Sequence, residues 1–326
     1  MLRIRYEELH QTLAGALRKL GFEEERALLC ARLFAETTQD GIYTHGVSRF
    51  PRFVRMIRAG RIDIHGTPAL VRTHGALERW DGQCGPGNLN AYQSMDRALA
   101  LARRHGVGAV ALANTTHWMR GGSYGWQAAE AGFIGACWTN TMPNLPPWGS
   151  AEARLGNNPL VFAVPRPPGH VVLDMAMSQF SYGALASYRE RGEALPVDGG
   201  FDSAGRLTRD PAAIEASQRP LPAGYWKGSG LSLVLDMMAA MLSGGLATHQ
   251  IPKDPERETG ISQFFLALDP AGLGPEGAAA EIADGIVASV ASRYPGQRTL
   301  QLRAENRALG VPVDAAVWHE VQAMSG

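Results

Sequence analysis

Gly106-Val107-Gly108-Ala109-Val110-Ala111 matches, on paper, the GxGxxA fingerprint of a dinucleotide-binding fold. That fingerprint works only when a strand leads into the glycines and a helix leaves them, so that the helix N-terminus faces the pyrophosphate. Here the order is reversed. Asn88 caps a helix in which Tyr92, Met95, Leu99 and Ala102 share one face, and the apolar run over residues 107–113 follows the glycines as a strand. Gly106 is then the residue that closes the helix in a left-handed conformation. No other Rossmann or P-loop motif occurs, so any nicotinamide cofactor must be held by a different fold.

Upstream of this stretch the chain opens with helices. Tyr6, Leu9, Leu13, Leu17 and Leu20 recur at three- and four-residue intervals and stop at Gly21. A second helix is predicted over 23–38 and a third over 48–59, with Pro51 tolerable only in its first turn. Residues 69–72 and 77–81 read as a hairpin. Downstream, strands are expected at 133–139, 160–164, 170–175 and 264–268. Helices are expected at 124–131, 180–191 and 278–292, with a buried one at 231–242 and a long loop around 197–202. Strands alternating with helices predict an α/β fold whose sheet is mixed, because the hairpin breaks a purely parallel order.

Composition narrows the partners. Lys plus Arg and Asp plus Glu both number 31, giving a formal net charge of zero in 326 residues, and basic residues are scattered. This excludes nucleic acid and a charged membrane surface as expected partners and favours a small molecule. The longest apolar stretch is too short to span a bilayer. Cys30, Cys84 and Cys137 form no framework or CxxC pair, and the N-terminus has no apolar signal region, so a cytoplasmic protein is expected. No HExxH or Cys/His cluster points to a metal, and no GxSxG elbow points to a serine hydrolase.

The chemistry-bearing residues fall on two loops. Asp40-Gly41-Ile42-Tyr43-Thr44-His45-Gly46-Val47-Ser48-Arg49 puts an imidazole beside a hydroxyl and a fixed cation four residues later. Histidine exchanges a proton near neutral pH and arginine grips a carboxylate with two parallel hydrogen bonds, as a reductase of 2-keto acids requires. The predicted strand at 107–113 runs into a second loop containing His117 and Arg120, followed by a glycine pair that lets backbone approach a ligand. His10, His105, His249 and His319 lie on or beside predicted helices and carry no assigned role. Lys227 stands just before a predicted helix N-terminus, a position suited to a pyrophosphate, with Ser229 as the cap. Asp174 ends a buried strand, where its carboxylate binds a hydroxyl or caps the following helix.

With these motifs placed, the chain resembles the malate/L-lactate (L-sulfolactate) dehydrogenase superfamily of non-Rossmann NAD(P)H oxidoreductases. The resemblance is carried by residues 43–53, 117–127, 158–160, 195–202, 224–231 and 260–264, and so spans nearly the whole chain. It implies a homodimer, a mixed sheet of about seven strands flanked by helices, and hydride transfer to the 2-keto group of a small acid. Residues 69–227 would form the cofactor-binding α/β domain, and residues 1–68 together with 228–326 a helix-rich domain. By matching position, His45 is the proton donor of the family's diketogulonate branch, with His117 the rival used in other branches. Arg49 clamps the substrate carboxylate, with Thr44 and Arg120 also at the substrate. Cofactor contacts fall on His170, Val171, Val172, Leu173, Asp174, Met175 and Ala176, on Trp226 and Lys227, and on Gly296, Gln297 and Arg298. The implied cofactor is NADH, with NADPH the alternative. Arg298 stands where the family shows Glu, and that exchange of charge bears on the choice between the two.

Overall fold

The computed structural model describes residues 1–275 and 277–326. After strand β1 (Leu2–Ile4), helices α1 (Tyr6–Lys19), α2 (Glu24–Gln39) and α3 (Phe50–Arg58) follow the predicted spacing. Pro51 lies in the first turn of α3, and Gly21 ends α1 with a φ of 93°. The hairpin β2 (Ala69–His74) and β3 (Leu77–Asp81) precedes α4 (Gly87–His105) and β4 (Val107–Thr116). Then come α5 (Gly122–Glu130), β5 (Ile134–Thr139), β6 (Leu160–Val164), β7 (Val171–Met175) and α6 (Tyr182–Glu190). The predicted loop around 197–202 instead holds a small ribbon, β8 (Gly200–Phe201) with β9 (Leu207–Thr208), followed by α7 (Pro211–Ser217). The chain ends with α8 (Trp226–Ser243), β10 (Thr259–Leu268), α9 (Ala278–Ser289), α10 (Gln297–Leu309), β11 (Val311–Val313) and α11 (Ala315–Ser325).

Seven strands form the central sheet in the order β2-β3-β4-β10-β5-β6-β7. Among the described residues, only β3 and β4 pair in parallel in this sheet; every other neighbour is antiparallel. Strand β10 comes from the 228–326 segment that the sequence groups with the helices, yet it pairs with β4 and β5 at the sheet's centre. The glycines of the apparent fingerprint serve packing. Gly106 takes a left-handed φ of 77° at the end of α4, and a Cβ on Gly108 would run into the backbone of Ala98. That close approach lays α4 against β4.

Helices α4 and α5 cover one face of the sheet around Trp118, Tyr124 and Phe265, and α8 covers the other around Trp138 and Phe264. A separate core joins α1, α2, α3 and α11 through Leu13, Phe34, Phe53 and Trp318. Phe34 and Phe50 meet edge to face at 5.2 Å. Full burial of each such side chain is worth about 1.5–3 kcal/mol, so both ends of the loop between α2 and α3 are firmly anchored.

Two local expectations are corrected. Asn88 does not cap α4. The helix starts at Gly87 after Pro86, and Asn88 turns inward to the Cys30 thiol. Helix α8 starts before residue 231 and is not buried all round. Gly228, Ser232, Leu235, Ala239 and Ser243 face inward, whereas Val234, Met237 and Met241 are exposed, Met241 at 77%. Small residues let the helix lie close to the sheet, which leaves the bulky apolar ones outside. Among the described residues, no helix is long and apolar enough to cross a membrane.

Candidate active site

The connection from α2 to α3 is compressed into two 3-10 turns, Tyr43–His45 and Val47–Arg49. Thr38, in the last turn of α2, holds them by accepting the Val47 N–H at 2.9 Å. A Cβ on Gly46 would strike Thr38, so only glycine fits this approach. The turns set His45 and Arg49 on one rim. Thr44 Oγ1 lies 3.0 Å from His45 Nδ1. A hydroxyl can donate to the neutral ring or accept from the charged one, so Thr44 suits both protonation states. The first turn of α6 packs on Thr44 at Gly183.

The second imidazole arrives from the end of β4. Met119 sits at a φ of 65°, a left-handed conformation strained for a side-chain-bearing residue. That bend turns the Met119 N–H onto His117 Nδ1 at 3.0 Å. The neutral His117 ring therefore carries its proton on Nε2. Ring centroids of His45 and His117 lie 5.8 Å apart with planes 21° from parallel.

The two rings share one electrostatic setting. Burial pushes the His45 pKa down to about 4, reinforced by the cations of Arg49 and Arg120. Burial also holds His117 well below its ordinary value, with Arg49, His45 and Arg52 adding to the effect. Both rings are thus neutral at pH 7. Arg49 is itself pushed down to about 10 by burial and by Arg52, and stays charged. Arg52 and Arg55 pair with Glu256 at 3.4 and 3.1 Å, while among the described residues no carboxylate lies within ion-pair distance of Arg49. Glu258, which the sequence reading passed over, is buried nearby. Its Oε1 accepts the Met142 N–H at 3.1 Å, and the charges of Arg49 and Arg52 act on it. An unpaired guanidinium next to two neutral imidazoles is a receptor for an anion.

A cleft of 460 Å³ is lined by Ile42, three residues before His45, and by Arg120, three after His117. Its other walls bring together two of the sequence-predicted cofactor segments, Val172, Leu173 and Asp174 with Gly296 and Arg298. Val172 N–H donates to Pro295 O at 3.0 Å, locking β7 to the turn before α10. Gly296 has a φ of 96°, and a Cβ there would crowd Val172 and His170. Asp174 Oδ2 accepts the Gly122 N–H at 2.8 Å, which ties β7 to the start of α5. Of the other segment members, Val171 and Met175 pair with Val164 and Leu160, Ala176 follows the strand, and Gln297 opens α10. His170 Nδ1 accepts the Arg166 N–H at 2.9 Å, and its ring meets Trp126 edge to face.

The cleft fits an anionic dinucleotide. Arg293 and Arg298 line it with the N-terminus of α10, where free N–H groups attract phosphate. Arg120 Nε and Trp126 Nε1, both in residues under 10% exposed and both on its wall, have no hydrogen-bond partner among the described residues. Trp126, Ile42 and Arg293 carry no role assigned from the sequence, although Trp126 and Ile42 lie inside the quoted runs 117–127 and 40–49 and Arg293 stands three residues ahead of Gly296.

Three local placements differ from the sequence expectation. Arg120 has a partner that the sequence does not show: its Nη1 donates to Asp40 Oδ2 at 2.5 Å in a buried ion pair. Lys227 does not precede α8: the helix begins at Trp226, and both residues are exposed, Trp226 at 67%, away from the walls of this cleft. Ser229 is no cap; its Oγ accepts the Trp148 N–H at 2.7 Å.

Comparison with known proteins agrees with this architecture. Residues 4–322 match the malate/L-lactate dehydrogenase family. The chain is 47% identical over 334 residues to 2,3-diketo-L-gulonate reductase of Citrobacter koseri, covering 99% of this chain and 100% of that one. The reductase of the same name from Shigella boydii is 47% identical over 333 residues, with the same coverage. Among solved structures, sulfolactate dehydrogenase from Methanocaldococcus jannaschii superposes with a TM-score of 0.92 at 25% identity, covering 99% of this chain and 96% of that one. Malate dehydrogenase from Pyrococcus horikoshii gives 0.89 at 27% identity, covering 99% and 94%.

Proposed function

The chain belongs to the malate/L-lactate dehydrogenase family, and on that basis we propose that it reduces the 2-keto group of 2,3-diketo-L-gulonate to give 3-dehydro-L-gulonate. The observation that carries the chemistry is the unpaired Arg49 guanidinium beside the stacked His45 and His117 rings, whose two loops also supply Ile42 and Arg120 to the cleft wall. When bound, the nicotinamide supplies the hydride that reduces C2. Val172, Leu173, Asp174, Gly296 and Arg298 hold the cofactor, and Arg49 grips the substrate carboxylate through both of its parallel N–H groups.

His45 supplies the proton. Its Nδ1 rests against Thr44, leaving Nε2 to face the developing alkoxide. In the free protein the ring is neutral because it is buried beside two cations. A carboxylate docked on Arg49 offsets one of those cations, so substrate binding itself moves the His45 pKa up and favours protonation of the ring. His117, fixed by the Met119 N–H and stacked beside His45, orients the substrate.

NADH is the cofactor of this reading. NADPH is the second reading, favoured by Arg293 and Arg298 on the cleft wall, which suit an additional phosphate. The three cysteines are free thiols, which supports a reducing cytoplasmic setting. The test is a panel of keto acids and a cyclic imino acid assayed with NADH and with NADPH. Diketogulonate is expected to give the highest kcat/KM. A higher value for pyruvate, oxaloacetate or the imino acid would redirect the assignment within the family.

A homodimer accounts for the outward face of α8. Val234, Met237 and Met241 form an exposed apolar stripe of the kind that a second copy covers. Replacing Met237 and Met241 with Glu places unpaired charge in that interface, and is expected to weaken the dimer Kd by about 10²-fold or more. Sedimentation velocity reads this out directly, and an unchanged dimer would remove α8 from the interface.

A further inference from the structure

A buried ion cluster lies behind the pocket. Asp40 is 1% exposed and receives both Arg120 and Arg303. Arg120 Nη1 donates to Oδ2 at 2.5 Å, Arg303 Nε to Oδ1 at 2.7 Å, and Arg303 Nη2 to Oδ2 at 2.9 Å. Each member belongs to a different part of the site. Asp40 is five residues before His45, Arg120 is three after His117, and Arg303 lies about two turns along the helix from Gly296.

Two further contacts fix the same junction. Asn306 Nδ2 donates to Gln39 O at 2.7 Å, and Gly41, at a φ of 82°, leaves room only for Leu302. Helix α10 thus docks on three successive residues, 39, 40 and 41, at the start of the His45 loop. The Arg303 guanidinium also lies over the Trp126 ring, 4.7 Å from its centroid, and Trp126 is a wall of the cofactor cleft.

We infer that Asp40 is a positioning residue that couples the cofactor cleft to both imidazole loops. Moving α10 to admit a cofactor shifts Arg303, and Arg303 shares its carboxylate with Arg120. The cofactor side therefore registers the position of His45 and His117 through one carboxylate. A buried carboxylate with two guanidiniums is costly to disturb from either side, because each loss leaves an unpaired charge. This rests on the proposed roles of His45 and of the α10 cleft.

The charged groups around the cluster are Arg32 and Glu36 on α2, Glu130 on α5, 3.6 Å from Arg303, Asp174 on β7, whose carboxyl feels Arg120, and Arg307 on α10. Those facing His45 are Arg49, Arg120 and His117. Removing the Asp40 charge takes from Arg120 its ion-paired carboxylate and leaves the more distant Asp174, so the Arg120 field on His45 grows and the ring holds a proton less well.

The test compares wild type with D40N, R303L and the D40N/R303L pair. Cofactor Kd is measured by nicotinamide fluorescence without substrate, alongside the melting temperature and the pH profile of kcat. D40N is expected to weaken cofactor binding by about 3- to 30-fold and to move the alkaline limb of kcat to lower pH. R303L, which keeps the Asp40–Arg120 pair, is expected to weaken cofactor binding while leaving that limb in place, and it carries the test if D40N does not fold. The double variant is expected to weaken Kd by less than the product of the single effects. A D40N or R303L protein with a lowered melting temperature but unchanged Kd and pH profile would make the cluster a structural brace and overturn the inference. A wild-type protein that binds the cofactor but reduces no keto acid would instead sink the functional reading.

Discussion

His45→Gln is expected to lower kcat for keto-acid reduction by about 10²- to 10⁴-fold, the usual contribution of a positioned general acid. Glutamine preserves size and a hydrogen bond to Thr44 but cannot take up and release a proton near neutral pH. The cofactor cleft is walled by other residues, so cofactor affinity is expected to stay as in the wild type. His117→Gln is expected to cost less, because the Met119 N–H held on His117 Nδ1 disfavours the doubly protonated ring that a general acid needs. Stopped-flow measurement of NADH oxidation in single turnover separates this from product release. A larger loss in H117Q than in H45Q would exchange the two roles.

Arg49→Leu carries the second large effect. Truncating one partner of a desolvated charge pair costs roughly 2–5 kcal/mol, so KM for the keto acid is expected to rise by about 10²-fold or more. Arg49→Lys keeps the charge but loses the planar fork, and recovers only part of this.

The pH profile gives a second readout. Reduction needs the proton on His45, so activity is held below the His45 pKa and lost as pH rises through it. In wild type the kcat/KM limb reports the free protein, where that value is about 4. The kcat limb reports the substrate complex, in which the bound carboxylate offsets Arg49, and so falls at higher pH. Removing Arg49 removes a cation acting on both rings, so the kcat/KM limb of R49L is expected to move up and approach that of kcat. Coincident limbs in wild type would mean that substrate binding does not charge the ring.

Much of the architecture was legible because it depends on local order. The helix before Gly106 and the strand after Gly108 ruled out a Rossmann reading, and the hairpin at β2 and β3 predicted the mixed sheet. The two imidazole loops stood out because glycine and hydroxyl residues surround a histidine in each. What could not be read involves partners far apart in sequence. The Arg120 ion pair is one case, because Asp40, 80 residues earlier, is invisible as its partner until the chain folds. Arg303 joins from 263 residues away. Helix α8 was misread for a related reason: an apolar run does not say whether its own sheet or a second chain covers each face. The β8 and β9 ribbon, only two residues per strand, is too short to leave an alternating pattern.

The most direct test is the distance from each imidazole to the substrate's keto oxygen, measured in a crystal structure with reduced cofactor and an unreactive keto-acid analogue bound. His45 Nε2 is expected within about 2.6–3.2 Å of that oxygen, with the analogue's carboxylate held by Arg49. His117 at that distance with His45 turned away, or a carboxylate bound elsewhere, would contradict the account.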